Sequence, residues 1–586
     1  MKKIIFQNKI SKKFFENKTI FLYQNYNKKN NFDLDNLKKI INIYYDEWLR
    51  EAKKIHLFLS KSYLDKVGKY WWLTDSSRFI ILKTESEYSL KDYLYSRAII
   101  ELIEKNQKDN FVIIGGNFSI LNYVKKFNQN YIVINNDITI KNNNLLFRIV
   151  RISVKNIILN IFYAIKLFAQ IKFIKKIEKF KKFKKAVLSL ALNEKIVAER
   201  GDHFFGNMFD KYNNKFLWIY NDMPKSKKKI IKHIIKSKRE FIFALDYGDI
   251  GKIFSSYFEY LNFYFKIIFS YNTLKIKVDS AFWKHFYREF FCNKLIYENI
   301  FYEIYLHKVN KKIFKQLKIE KVILPYEESS WQRSIILASQ KYNHILYGYA
   351  HVSHAQYHEF FFNKEADINP PRPNKILVTG KIAKIKFLNL LYNRDDIIII
   401  GSDKFHQKHK IRNFEEIKKP KILFMCGHGL EIINFSKFLQ NKKEFSSKYD
   451  LFIRENPHSW KVENKIAKKI FNEKRIDYKI SSLSFIDDVI SSKYILFESS
   501  TAGLEGILLG RLGMQINVTD NIFSDQFNDK NRKNLNYFMT FEDLEKGLKK
   551  FESFSEKDYD NYVNKQIFKV KSLINKPNIK KLCKIY

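Results

Sequence analysis

Between Lys321 and Val518 the chain keeps repeating one unit: a short apolar run, a turn, and a stretch of helical periodicity. Val322 to Pro325, Ile345 to Tyr349, Lys375 to Thr379 and Ile397 to Ile400 read as strands, with a helix over Ser330 to Tyr342 between the first two. A polar link from Asn413 ends at Pro420, and a second series opens: Lys421 to Cys426, Leu451 to Arg454, Tyr478 to Ile480, Tyr494 to Phe497 and Met514 to Val518. Apolar runs without polar alternation are what strands buried on both faces require, and the helix between two runs is the crossover that parallel neighbours need. The pattern predicts an α/β fold with two Rossmann-like doubly wound domains facing a cleft. In such sheets ligands bind beyond the carboxyl ends of the strands, so candidate chemistry is sought there.

The upstream half is less regular. Residues 1–110 read as a helical and mixed part of the first domain, broken by the aromatic stretch Tyr70-Trp71-Trp72-Leu73-Thr74-Asp75. Phe111 to Ile114, ending in Gly115-Gly116, and Tyr131 to Ile134 read as the strands that open an N-terminal Rossmann-like domain over 111–412. Ala186 to Leu192 and Phe216 to Tyr220 continue it, with Gly201-Asp202-His203-Phe204-Phe205-Gly206 in the connection. A long aromatic region from Ile250 to Lys315 reads as core or domain-packing helices. The second Rossmann-like domain is expected over 413–550 and a basic helical tail over 551–586.

A basic amphipathic insertion is expected at about 145–185. Apolar residues are dense from Leu145 to Phe173, yet Arg148, Arg151, Lys155 and Lys166 interrupt them. The roughly 18 to 20 uncharged residues of a membrane span are never reached. The continuation from Ile174 to Lys185 sets Phe180 and Phe183 among Lys175, Lys176, Lys181, Lys182, Lys184 and Lys185. That is the composition of a helix lying on an anionic membrane face.

At 586 residues the chain exceeds what one hydrophobic core supports, which agrees with two domains. A formal net charge of +45 attracts polyanions, either nucleic acid or anionic lipid and phosphate-bearing substrates. No zinc-knuckle spacing, RNP-type strand or recognition-helix signature accompanies it, so nucleic acid is not expected and an anionic inner-membrane surface is. Cys292, Cys426 and Cys583 lie far apart, pointing to neither a disulfide framework nor a metal site. Met1 to Ile10 lacks the apolar segment of a secretory signal. A cytoplasmic protein, peripheral on the inner face of the cytoplasmic membrane, is the expectation, with no cofactor.

Four strand-end loops of the second series carry phosphate-compatible chemistry. Glu498-Ser499-Ser500-Thr501 leads into the helix that starts at Ala502-Gly503, where unpaired amides and hydroxyls can hold an anionic group. The alternative reading is an ordinary capping box, with Glu505 reaching back to a Ser/Thr cap. Gly427, His428 and Gly429 follow the opening strand, Arg454 with Pro457 and His458 follows the next, and Ser481-Ser482 ends a later one. In the first series Glu327 and Glu328 form an acidic pair at a strand end, able to supply a general base or nucleophile or merely to cap the helix after them. His351 and His354 follow the next strand without a carboxylate at metal-site spacing, and Arg372 lies in the rigid Asn369-Pro370-Pro371-Arg372-Pro373. Asp487-Asp488 reads as lying inside a helix. No metal site is expected.

The segments PYEESSWQ, GYAHVSHAQYHEFFF, NPPRPNKILVTG and FESSTAGLEGILLGR, with WWLTDSSRF and GDHFFGN upstream, resemble the bacterial surface carbohydrate biosynthesis proteins, glycosyltransferases of the GT-B fold. The likeness spans most of the chain and is strongest from Val322 to Val518. A looser similarity connects the acidic pair, the Pro/His element and the Ser/Thr cluster to capsule glycosyltransferases that use CMP-Kdo or CMP-sialic acid. The resemblance implies a GT-B enzyme of capsule, lipopolysaccharide or lipooligosaccharide synthesis, with a nucleotide-sugar donor and a glycan or lipid-linked acceptor. It gives the catalytic role to Glu327 or Glu328, and the donor phosphate to His458 (here in the order Pro457-His458) with Ser499, Ser500 and Thr501. A nucleotide-sugar epimerase of similar architecture and a non-enzymatic membrane-surface scaffold are the alternatives.

Overall fold

The computed structural model describes residues 19–22, 56–74, 111–114, 131–134, 145–170, 180–190, 201–210, 214–221, 227–270, 298–351, 370–388, 392–403, 419–427, 429–439, 443–455, 461–473, 475–498, 500–516, 537–538 and 540–578, with isolated positions Leu295, Val518 and Lys581. Its strands form three sheets, all parallel. β1 (Thr19–Leu22), β2 (Phe111–Ile114) and β3 (Tyr131–Ile134) pair in that order as a small sheet of their own. Phe111–Ile114 and Tyr131–Ile134 therefore do not open the first doubly wound sheet. That sheet begins at β4, because the segment that pairs with β2 is the distant Thr19–Leu22.

The large first sheet contains β4 (Lys185–Ser189), β5 (Leu217–Tyr220), β6 (Glu240–Phe243), β7 (Lys321–Pro325), β8 (Ile345–Ala350), β9 (Lys375–Val378) and β10 (Ile397–Ile399). Its order is β10-β9-β8-β7-β4-β5-β6. The chain thus runs outward one way from β4 and then outward the other way from β7, leaving a switch point between those two strands. β6 is absent from the sequence reading because it is a short edge strand that starts at an exposed Glu240. The second sheet contains β11 (Lys421–Met425), β12 (Asp450–Arg454), β13 (Lys479–Ile480), β14 (Tyr494–Phe497), β15 (Leu512–Ile516) and β16 (Tyr537–Phe538), in the order β13-β12-β11-β14-β15-β16. Its switch point lies between β11 and β14. Two doubly wound sheets, each with the Rossmann strand order, make the two-domain α/β architecture of the GT-B type.

Both sheets are covered on each face. On β4, Ala186 and Leu188 enter one core and Val187 the other, as the two-residue period of a strand dictates. The first core is filled by α1 (Leu145–Gln170), α2 (Ile250–Ser270), α3 (Phe301–Leu317) and α4 (Ser330–Ser339), together with Tyr63 stacked on Trp71. Phe180 and Phe183, expected on a membrane-facing helix, are buried in this same core. They precede β4 closely enough that sheet packing claims both rings. Residues 174–179 lie outside the described residues. Among the described helices none is long and apolar enough to cross a membrane.

α5 (Lys381–Leu388) follows β9. α6 (Gly429–Phe438), α7 (Phe485–Ile490) and α8 (Thr501–Leu508) serve the second sheet. α9 (Glu556–Leu573) packs on α8 and β15 and then returns the chain to the first sheet. There the Thr379 hydroxyl donates to Leu573 O (3.1 Å), Asn575 N–H to Thr379 O (2.7 Å), Ser402 N–H to Asn575 O (2.9 Å) and Asn578 N–H to Ile400 O (2.8 Å). Glycine makes this approach possible: a Cβ on Gly380 would sit 2.1 Å from Leu573 O.

Two consequences can be measured. Gly380→Ala is expected to lose about 1–3 kcal/mol in urea unfolding, since backbone on both sides of the contact has nowhere to move. Burial, with Lys69 nearby, lowers His307 to about 4, and its Nδ1 lies 3.1 Å from Ser334 O. The unfolded imidazole takes up a proton near 6.5, so the unfolded state binds more protons between these values. Stability should fall as pH drops from about 6.5 toward 4, less steeply in His307→Gln.

Candidate functional site

At the first switch point β4 and β7 end side by side. β7 runs into Tyr326-Glu327-Glu328-Ser329 and then α4. The Gln332 carboxamide oxygen accepts the N–H groups of Glu327 (2.7 Å) and Ser329 (3.1 Å), which fixes this turn from inside the helix. Glu328 adopts φ 56°, a left-handed conformation that a non-glycine residue takes only when something holds it there. Its Oε2 lies 3.0 Å from Nη2 of Arg333, and both side chains are almost fully buried. The Arg333 guanidinium in turn lies 5.6 Å over the Trp72 ring.

The two adjacent carboxylates are thereby separated. Glu328 is consumed in a buried ion pair that ties the turn to α4 and to the 56–74 layer. Glu327 keeps a side chain 31% exposed, with Oε1 3.4 Å from His351 Nε2. His351 follows β8 and is nearly buried. Phe204 stands edge-on against its imidazole, centroids 4.9 Å apart, and also lies near Trp331.

Phe204 is presented by a loop that the sequence marked without assigning a role. Asp202, buried, accepts the N–H groups of Phe204 (2.8 Å) and Phe205 (3.0 Å) through Oδ1, and the Ser189 hydroxyl (2.6 Å) through Oδ2. Gly201 and Gly206 supply the positive φ the tight loop needs. Phe205 stacks on Tyr349. Arg239, 4.2 Å over Trp218, reaches Asp210 (2.6 Å) and Gly206 O (3.4 Å) and pins the far end of the loop. Asp202 carries a local signal, an Asp followed by aromatics between two glycines. Arg239 carries none, because its partners are remote in sequence.

Arg372 is half-buried with its guanidinium 5.8 Å over Tyr392, which lies beside Tyr326 and Glu328. It thus reaches the same turn through a ring. Burial raises Tyr326 well above the ordinary phenol value, so it stays protonated at any ordinary pH. His354 lies outside the described residues.

At the second switch point β11 ends at Cys426-Gly427 and β14 at Glu498. Ser500 takes the N-cap position of α8 without a side-chain cap, and Gly503 N–H bonds to Ser500 O (3.1 Å). The third helical position is Gly503, so no capping box forms; Glu505 sits two residues further on and is buried. A Cβ on Gly503 would lie 2.1 Å from the Phe497 ring, so glycine lets the helix start press onto the strand end. Burial pushes the Cys426 thiol well up, which leaves it neutral.

Several expected donor contacts are turned to internal partners. The Gly427 N–H donates to Glu431 Oε2 (2.5 Å). Arg454 Nη1 binds Asp488 Oδ2 (2.6 Å) and Leu483 O (3.0 Å). The Ser481 hydroxyl donates to Asp488 and Lys421 Nζ lies 3.5 Å from it. Asp488 is wholly buried in α7, so two cations and a hydroxyl gather on one carboxylate. Ser482 is exposed, and Gly429 begins α6. His428, Pro457, His458 and Ser499 lie outside the described residues. Among the described residues no group of three or more His, Cys, Asp or Glu could hold a metal ion.

No family model and no curated protein sequence matches the chain. Its structural similarity is to glycosyltransferases and to UDP-N-acetylglucosamine 2-epimerases. A glycosyltransferase from Rickettsia africae covers 69% of this chain and 98% of its own length at 12% identity, with a TM-score of 0.40. TarM of S. aureus covers 69% and 98% at 11% identity and 0.38. The 2-epimerase of Neisseria meningitidis, bound to UDP-GlcNAc, covers 68% and 98% at 8% identity and 0.38. Similarity this weak assigns no activity, and the site has to speak through its own geometry.

The separated carboxylates predict opposite phenotypes. Glu328→Gln leaves Arg333 buried against a neutral group and should cost about 3–5 kcal/mol in chemical denaturation. Glu327→Gln, at the surface of the same turn, should stay within about 0.5 kcal/mol of the parent protein.

Proposed function

We propose that the protein is a glycosyltransferase of bacterial surface polysaccharide synthesis, acting on a glycan or lipid-linked acceptor at the anionic inner face of the cytoplasmic membrane. The observation that carries this reading is the partly exposed Glu327 carboxylate beside His351 at the first switch point. It is a base at the edge of a doubly wound sheet, with the uncapped, glycine-lined start of α8 at the equivalent place in the second sheet.

In this mechanism the acceptor hydroxyl lies against Glu327. Its oxygen attacks the anomeric carbon of the donor sugar, its proton passes to the Glu327 carboxylate, and the bond from that carbon to the nucleotide phosphate breaks. The charge gathering on the departing phosphate is met by the first amides of α8 and by the hydroxyls of Ser500 and Thr501. Arg372 is offered as an acceptor contact. The donor is a nucleotide sugar, of CMP-Kdo or CMP-sialic acid type in the sharpest form of the proposal, and no bound metal is required.

A thermal-shift screen of CMP, UDP, GDP and their sugars identifies the donor, since a ligand bound only by the folded protein raises its melting temperature. With that donor, Glu327→Gln should lower kcat by about 10²- to 10⁴-fold, the range for losing a positioned general base, while the melting shift by donor persists. Activity should survive EDTA. Conversion of the donor sugar without any acceptor would overturn the transferase reading.

A further inference from the structure

Where α1 and α2 pack against each other, a polar cluster sits among core side chains such as Ile152 and Ile253. Between the helices lie Asn156, Asn160, Ser256 and the hydroxyls of Tyr260 and Tyr264, all buried. Asn299 Nδ2 donates to Asn160 Oδ1 (2.7 Å), and the Ser153 hydroxyl reaches Tyr264 (3.2 Å). The apolar residues face outward: Phe162, Ile165 and Phe168 on α1, and Phe254, Phe258 and Phe269 on α2, are 51–73% exposed. Each helix thus carries an outward apolar face in addition to the one it buries in the core, where a surface helix of a water-soluble domain carries polar residues. Contiguous exposed apolar surface of this extent marks an interaction site.

Charge identifies the occupant. α1 contains no Asp or Glu, and its outer face interleaves Arg151, Lys155 and Lys166 with the apolar side chains. α2 adds an exposed Lys266, and its one acid, Glu259, is neutralised by Lys308 (2.8 Å) and bonded by the Tyr70 hydroxyl. An apolar face with cations, whose one helical acid is already paired, complements acyl chains beneath anionic headgroups. A second copy fits poorly, because paired faces would set cations against cations with no acid to neutralise them. At 26 and 21 residues the helices are about 39 and 31 Å long, at 1.5 Å per residue, enough for a broad platform in the plane of the surface.

We propose that the outward faces of α1 and α2 form one docking surface that seats the protein on an anionic lipid leaflet. This deepens the membrane part of the function proposed above and replaces the site expected around Phe180 and Phe183, which are core residues. The apolar side chains enter the headgroup boundary, and the cations remain at the phosphate level.

Flotation with phosphatidylglycerol/phosphatidylcholine vesicles, against phosphatidylcholine alone, tests it. The parent protein should float with the anionic vesicles and, in high salt, less. Phe162→Glu/Phe258→Glu should reduce the floated fraction by about tenfold or more, and Lys155→Glu/Lys166→Glu should abolish the preference for anionic lipid. All these positions are exposed, so unchanged circular dichroism and melting temperature are expected. Undiminished flotation of the Phe variant, or a parent protein that ignores anionic vesicles, would overturn the proposal. So would a parent dimer in gel filtration that the Phe variant dissolves, since a second copy would then cover the face. Thermal shift by nucleotide sugars and transfer to a water-soluble acceptor should be retained by both variants. Their absence from the parent protein while flotation persists would instead sink the transferase reading and leave the docking surface standing.

Discussion

A crossover between parallel strands is right-handed, and that single steric preference organises most of this molecule. When the chain leaves the central strand of a sheet in one direction and later returns to leave in the other, helices must lie on opposite faces. The two innermost loops then diverge, and a gap opens between β4 and β7 and again between β11 and β14. The groups given to the reaction itself are attached to those gaps. Glu327 and the Asp202 loop occupy the first; Gly427 and the start of α8 occupy the second.

The interior residues around each gap do the positioning. The Glu328–Arg333 pair is remote from solvent and accepts a strained backbone at Glu328, which points the adjacent Glu327 outward. Asp488 gathers Lys421, Arg454 and Ser481 beneath the second edge in the same manner. Buried ion pairs of this kind add little net stability compared with an apolar replacement, but breaking one is costly. Here they fix loop geometry, which a purely apolar core would leave less determined.

The strands from Lys321 onward were legible because burial on both faces leaves them uniformly apolar, a signal carried by each segment alone. Phe111–Ile114 was recognisable as a strand for the same reason, yet not its sheet, since pairing with Thr19–Leu22 is a long-range choice. Adjacent glutamates look alike in a sequence; their different fates depend on one positive φ and on Arg333. Arg454 had the composition of an anion ligand and is held by Asp488, a partner two strands' worth of chain away. The apolar stretch in α1 was visible, whereas its outward direction was not. That follows from Asn156 and Asn160 finding partners inside.

The return of the chain after α9 also bears on the order in which the protein can be made. The ends of β9 and β10 complete their hydrogen bonding only with residues 573–578, which follow every strand of the second sheet along the chain. Until then Thr379 and Ser402 lack their native partners, and Gly380 and Gly401 face the space that this segment will fill. The first domain, although translated early, stays unfinished through the synthesis of the second. Its final closure waits for that segment, and a chain ending before residue 573 would hold two sheets with an open seam between them.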